Sequence, residues 1–276
     1  MRPLPSPPSG LGLVTHVRAT GRGIIILAGP SSCGKGAVAE VLRRILHIPE
    51  ENHISMGEAL RRVATRPGGS LEGFGIHERS VFDPEVSSPD LRDKAERHRA
   101  EFEERFPHTT QRDWLEYCVL SGLLVPDAWS EAIIDGVIAE RAAEPSAVIL
   151  LDGYPRTEVA ARHVMRLSER VDIPILKVLH LSVSKREMHK RALGRRRADD
   201  TPETLERRYK FYVEHVQPCV ELLKSHIGSQ RVALIDAHQP EFGPDGTLDL
   251  EASVANVANE ALIALGVSRH ILGSLQ

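Results

Sequence analysis

Apolar positions recur along this chain in two periods. Residues 24–27 form a short β-branched run of the kind buried in a parallel sheet, and Val38, Val41, Leu42, Ile45 and Leu46 then recur at helical spacing. The same alternation returns further on. Residues 147–151 (AVILL), 176–181 and 231–235 read as strands, and 52–55 as a short one; 157–170, 184–193, 201–225 and 250–265 read as helices between and after them. Five short apolar strands separated by helices predict a doubly wound parallel sheet with helices on both faces. Residues 58–122 interrupt that alternation. They open with helical character at 57–64, pass through loop-like 66–70 (RPGGS) and 81–89 (VFDPEVSSP), and include amphipathic helical patterns at 111–122 and, beyond, 130–140. Between them 90–106 (DLRDKAERHRAEFEERF) is so charged that it reads as one solvated helix held by i,i+4 ion pairs. There is no internal repeat.

Composition narrows the class only a little. A chain of 276 residues can bury one sizeable core, and a net charge of -3 carries no basic excess that would point to nucleic acid. The three cysteines, Cys33, Cys118 and Cys219, lie far apart without paired spacing, so neither a disulfide framework nor a zinc site is expected, and a reducing compartment fits. No apolar run has the length of a membrane span, and no secretory core appears near the start. Residues 1–22 are rich in proline, glycine and serine and lack acidic residues; they read as a flexible tail before a domain at 23–276, with an organelle-targeting peptide as the lesser alternative. The expectation is a soluble, cytoplasmic monomer.

Chemistry concentrates at a few places. Gly29 to Lys35 fits G-x-x-x-x-G-K between a strand and a helix, where small residues let backbone N–H groups curl around phosphate oxygens and the lysine reaches the outer phosphates. Arg61 stands one turn into the helix after the second strand. Asp127 follows a turn, LLVPD, and suits a capping role. Asp152 closes a buried strand, where a carboxylate is costly without a partner; in phosphate-loop proteins that position commonly orients magnesium, and the alternative is an aspartate capping its own loop. Gly153 permits close backbone approach, and Pro155 fixes the turn presenting Arg156. Arg191, Arg195, Arg196 and Arg197, then Asp199, Asp200, Arg207 and Arg208, form a basic segment in which arginine outnumbers lysine, as planar recognition of phosphate requires.

Taken in order, GPSSCGKGA, SMGEALR, LLVPD, DGYPRT and RRRADD followed by ERRY resemble the adenylate kinase family of nucleoside monophosphate kinases, over most of residues 23–265. The resemblance implies a P-loop fold with a five-stranded parallel sheet, a monophosphate-binding subdomain and a lid, and transfer of the γ-phosphate of ATP to a nucleoside monophosphate with magnesium. It implies that Ser32, Cys33, Gly34, Lys35, Gly36 and Ala37 surround the ATP phosphates, with Arg191 and Arg195 opposite and Gln239 near the donor base. Arg61 and Arg156 would grip the acceptor phosphate, while Met56, Gly57, Leu123, Leu124, Val125, Gly153 and Ala160 would border the acceptor nucleoside. Arg197 and Arg208 would bridge donor and acceptor, with Lys35 and Arg156 completing the catalytic set, and Asp152 would order magnesium through water. The acceptor is already an oxyanion, so no dedicated general base is needed.

The chain departs from that pattern in four ways. Ala37 replaces the family's usual threonine, and Met56 and Ala160 replace a threonine and a glutamine that face the acceptor nucleoside, so the acceptor base is left open. The lid, at 191–200, is very short, which predicts either ATP hydrolysis or a substitute cover. The acceptor-side region at 66–122 is correspondingly long and is expected to shape the acceptor site or to take over the covering role. Two other readings stand beside the kinase: a catalytically weak nucleotide sensor, and a P-loop kinase of another small molecule.

Overall fold

The computed structural model describes residues 17–19, 21–64, 71–142, 148–195 and 200–272. Its centre is a parallel sheet of five strands, β1 (Gly23–Ala28), β2 (His53–Ser55), β3 (Val148–Asp152), β4 (Ile175–Ser182) and β5 (Val232–Asp236), in the order β2-β3-β1-β4-β5. The strands are apolar on both sides because both faces are covered. Ile24 and Ile26 of β1, with Ile149 and Leu151 of β3, enter one core; Ile25, Leu27, Val148 and Leu150 enter the other. This is the two-residue alternation of a strand sandwiched between helical layers.

On the second face lie α1 (Lys35–Ile45), whose Val38, Ala39 and Leu42 point inward, and the late helix α11 (Leu250–Ala264). The first face carries α2 (Met56–Ala64), α3 (Pro89–Glu96), α4 (Arg99–Arg105), α5 (Gln111–Ser121), α6 (Asp127–Ala142) and α7 (Glu158–Arg170). After β4 come α8 (Lys185–Arg195), α9 (Pro202–Phe211), a π-helical turn at Tyr212–Val216 and α10 (Gln217–Ile227). A two-stranded hairpin, β6 (Glu241–Phe242) with β7 (Leu248–Asp249), and the short α12 (Arg269–Leu272) complete the chain.

Three expectations need correction. The charged stretch at 90–106 is two helices, since α3 stops at Glu96 and α4 begins at Arg99. It is also not merely solvated: Leu91, Ala95 and Phe102 are buried, and the break lets Phe102 swing into an aromatic cluster while Arg99 still pairs with Glu96 and Glu103. The helix expected over 201–225 is continuous in direction but changes pitch at the π-helical turn, because Pro218 supplies no N–H and its ring crowds an α-helical carbonyl ladder. The N-terminal segment is tied down before residue 23. Val17 and Ala19 pack against the second core, and the Ala19 N–H bonds to the Leu46 carbonyl at 2.9 Å.

Candidate active site

The carboxyl ends of β1, β2 and β3 open into one cavity of about 580 Å³. Its floor is the loop after β1, and Gly29, Pro30, Ser31, Ser32, Gly34, Lys35, Gly36 and Ala37 all line it. The loop sits where β1 separates strands reached by connections running in opposite directions, the position at which doubly wound sheets bind ligands. Lys35 starts α1 and folds back on its own loop, donating to the carbonyls of Pro30 at 2.7 Å and Gly29 at 3.1 Å. The Cys33 thiol accepts a third hydrogen bond from Lys35. Cys33 is buried in the core, with Sγ 3.8 Å from Lys35 Nζ, and it does not line the cavity.

At the opposite wall three guanidinium groups converge. Arg61 of α2, Arg156 after β3 and Arg208 of α9 all border the cavity. Burial holds the pKa of Arg156 below its ordinary value, the positive fields of Arg208 and Arg61 push the same way, and the Asp152 carboxylate opposes them. Asp152 ends β3 in register with Leu27 of β1 and Ser55 of β2. Its Oδ1 is buried without a hydrogen-bond partner among the described residues, and so are the Ser31 and Ser32 hydroxyls. Arg156 Nε donates to the Gly153 carbonyl at 2.6 Å. Gly153 is not among the residues lining the cavity; with φ at 73° and Arg156 Nη2 only 2.9 Å from where a Cβ would stand, it makes room for the arginine.

Arg191 joins the phosphate loop to the end of β5. It bonds Glu187 at 2.8 Å, the Cys33 carbonyl at 3.3 Å and the Ala237 carbonyl at 2.9 Å. Gln239 lies outside the cavity, its amide turned back to the Asp236 carbonyl at 2.9 Å. Arg197 falls outside the described residues, as does the side chain of Arg195. Met56, Gly57, Leu123, Leu124, Val125 and Ala160 all line the cavity. Sequence reasoning missed Ser130 and the wall formed by Phe211, Tyr212 and Val216. Ser130 had a usable signal, being one helical turn beyond Asp127; the aromatic wall had none, because only the π-helical turn brings those residues to the cavity.

A phosphate loop on a five-stranded parallel sheet, facing a ring of arginines, defines a P-loop kinase fold. No family model matches the chain. It is 28% identical over 203 residues to an adenylate kinase of Mycobacterium marinum, covering 74% of this chain and 87% of the relative. To the adenylate kinase of Thermosynechococcus vestitus it is 28% identical over 245 residues, 85% and 94% of the two chains, and to that of Leptospira biflexa 26% over 207 residues, 73% and 86%. With this breadth of match on the same architecture, the similarities support a divergent member of the adenylate kinase family and, at the level of that family, nucleotide phosphoryl transfer.

Proposed function

We propose that the chain moves the γ-phosphate of ATP onto the phosphate of a nucleoside monophosphate. The observation that carries this reading is the single cavity that joins the phosphate loop to Arg61, Arg156 and Arg208. Three guanidinium groups at one wall, Arg208 already held by Asp200, present planar donors suited to phosphate oxygens. A sensor of ATP alone has no need of that second wall.

In this reading the donor phosphates take the loop N–H groups and the positive end of α1, and Lys35 exchanges its bonds to the Pro30 and Gly29 carbonyls for phosphate oxygens. Arg61 and Arg156 hold the acceptor phosphate in line, Arg191 steadies the donor side, and Arg208 neutralises charge on the phosphoryl group in transit. Leu123, Leu124, Val125, Met56 and Ala160 border the acceptor nucleoside. The residues present fit magnesium carried in with ATP: one buried carboxylate, Asp152, has an unpartnered oxygen, and no cluster of three His, Cys, Asp or Glu stands ready as a cage among the described residues. Asp152 would hold the magnesium, whose charge would offset that of the ATP phosphates.

The test is to incubate the protein with ATP, magnesium and each nucleoside monophosphate in turn and to follow diphosphate production. Absence of diphosphate with every acceptor, at protein concentrations that bind ATP, sinks the proposal. Arg208→Ala is expected to bind ATP nearly as wild type yet to turn over about a hundredfold or more slowly, as loss of one transition-state cation does.

A further inference from the structure

Arg208 is seated on the acceptor side of the cleft. α5 ends at Gly122, which has φ of 66°, and a Cβ built there would lie 2.8 Å from Arg208 Nε and 3.0 Å from Thr204 Cγ2. One residue earlier, the Ser121 carbonyl accepts a hydrogen bond from Arg207 Nη1 at 2.9 Å. Two consecutive residues of α9 therefore grip two consecutive residues at the end of α5. The grip is physically apt, since the last carbonyls of a helix lack intrahelical partners and carry the negative end of its dipole. On its other side Arg208 Nη1 bonds Asp200 Oδ1 at 2.7 Å, and that carboxylate is almost wholly covered, with 1% of its side chain exposed. α9 itself is fixed at its start by Thr201, whose hydroxyl accepts the Thr204 N–H. The charge of Arg207 also reaches inward: the pKa of His98, at the head of α4, is held down first by burial and then by Arg207.

The segment leaving Gly122 is Leu123, Leu124 and Val125, which line the cavity. Any movement of that wall is therefore transmitted to the residue on which Arg208 rests. We infer that Gly122 is a positioning residue for Arg208, with Arg207 as its clamp, and that this joint couples filling of the acceptor site to placement of the transferring arginine. A glycine is required there twice, by its left-handed backbone and by the side chain lying across it. The inference rests on the phosphoryl-transfer reading and adds to it a means by which ATP is spent on an acceptor in preference to water.

The experiment compares wild type, Gly122→Ala and Arg207→Gln in steady-state transfer to the best acceptor, in ATP hydrolysis without acceptor, and in thermal melting. Gly122→Ala is expected to lower kcat about tenfold or more, since small misplacements of a catalytic group have large effects, while KM for ATP stays within about twofold. Arg207→Gln should shift the same quantities in the same direction by about threefold. In both variants a larger share of ATP should be lost to water relative to transfer. A folded Gly122→Ala protein with wild-type kcat overturns the inference, and so does an equal loss of ATP affinity. If Gly122→Ala does not fold, Arg207→Gln decides, and an unchanged kcat with an unchanged hydrolysis-to-transfer ratio overturns it. Failure of the wild type to transfer to any monophosphate removes the kinase reading itself, whereas active wild type beside indistinguishable variants removes only the joint.

Discussion

Under the proposed function, Ala160 is the side chain through which acceptor choice is tested. It lies in the first turn of α7, 1% exposed, and it lines the cavity. Thr157 caps that helix, its Oγ1 accepting the Ala160 N–H at 3.0 Å and donating to Asp127 Oδ1 at 2.9 Å. The clasp holds the starts of α6 and α7 together, and one turn along each stand the cavity residues Ser130 and Ala160. A methyl group here offers a base edge no hydrogen bond, so discrimination by an amide is missing from this wall. Ala160→Gln is expected to raise kcat/KM for AMP relative to the other monophosphates by about tenfold or more, as restoring a hydrogen-bonding side chain in a buried pocket does. The larger side chain overfills a buried position, so thermal stability should drop by about 1–3 kcal/mol. Unchanged ratios among the four acceptors, in a variant that remains folded, would place Ala160 away from the base.

Among the elements, α4 and α5 meet through an aromatic cluster behind the cavity wall to which α5 contributes Cys118 and Val119. Phe102 is fully buried, edge-on to Trp114 at 5.2 Å and tilted against Tyr117 at 5.3 Å, with Phe82 and Phe106 around it. Phe102→Ala should cost about 3–5 kcal/mol in urea unfolding, the usual range for emptying an aromatic site. Since α5 runs on into Gly122 and Leu123, the variant should also raise KM for the acceptor while leaving KM for ATP near wild type. This cluster was the least legible part of the chain. The strands could be read because burial on both faces leaves continuous apolar runs, and the phosphate loop could be read because its chemistry is local in sequence. Around Phe102 the charged i,i+4 pattern continues across residues 97 and 98, so nothing in the periodicity marks the break that turns the ring inward. The π-helical turn is hidden for a related reason: one extra residue per turn shifts which side chains face the cavity, and an average over a window smooths that shift away. The β6–β7 hairpin, two residues per strand, is too short for an alternating pattern to register.

For the molecule as a whole, two half-covered histidines tie stability to pH. His180, near the end of β4, shares a hydrogen bond of 2.9 Å with the Tyr212 hydroxyl on the cavity wall. Burial holds its pKa below the ordinary 6.5; Lys35 adds to this and Glu221 opposes it. His98 is held down by burial and then Arg207, against Glu101. Above about pH 6.5 both rings are neutral whether the chain is folded or unfolded, so neither weakens the fold. As pH falls below that value the unfolded chain takes up protons that the folded chain resists, and stability is lost until the folded pKa values are passed. Carboxylates held low by hydrogen-bonded partners, Glu40 by Arg43, Glu96 by Arg99 and Glu206 by Lys185, act in a lower window, below their ordinary 4.5. The urea midpoint should therefore be level from about pH 8 to 7 and fall between about 6.5 and 5, a window set by the histidines. His98→Gln and His180→Gln should each flatten that fall, and the double variant should flatten it most, while the decline below pH 4.5 persists in all of them. An identical slope between pH 6.5 and 5 in the double variant would assign the acid sensitivity to groups other than these two rings. Since His180 bonds Tyr212 of the cavity wall and His98 lies in the field of Arg207, turnover should decline reversibly in the same window, recovering when the pH is raised.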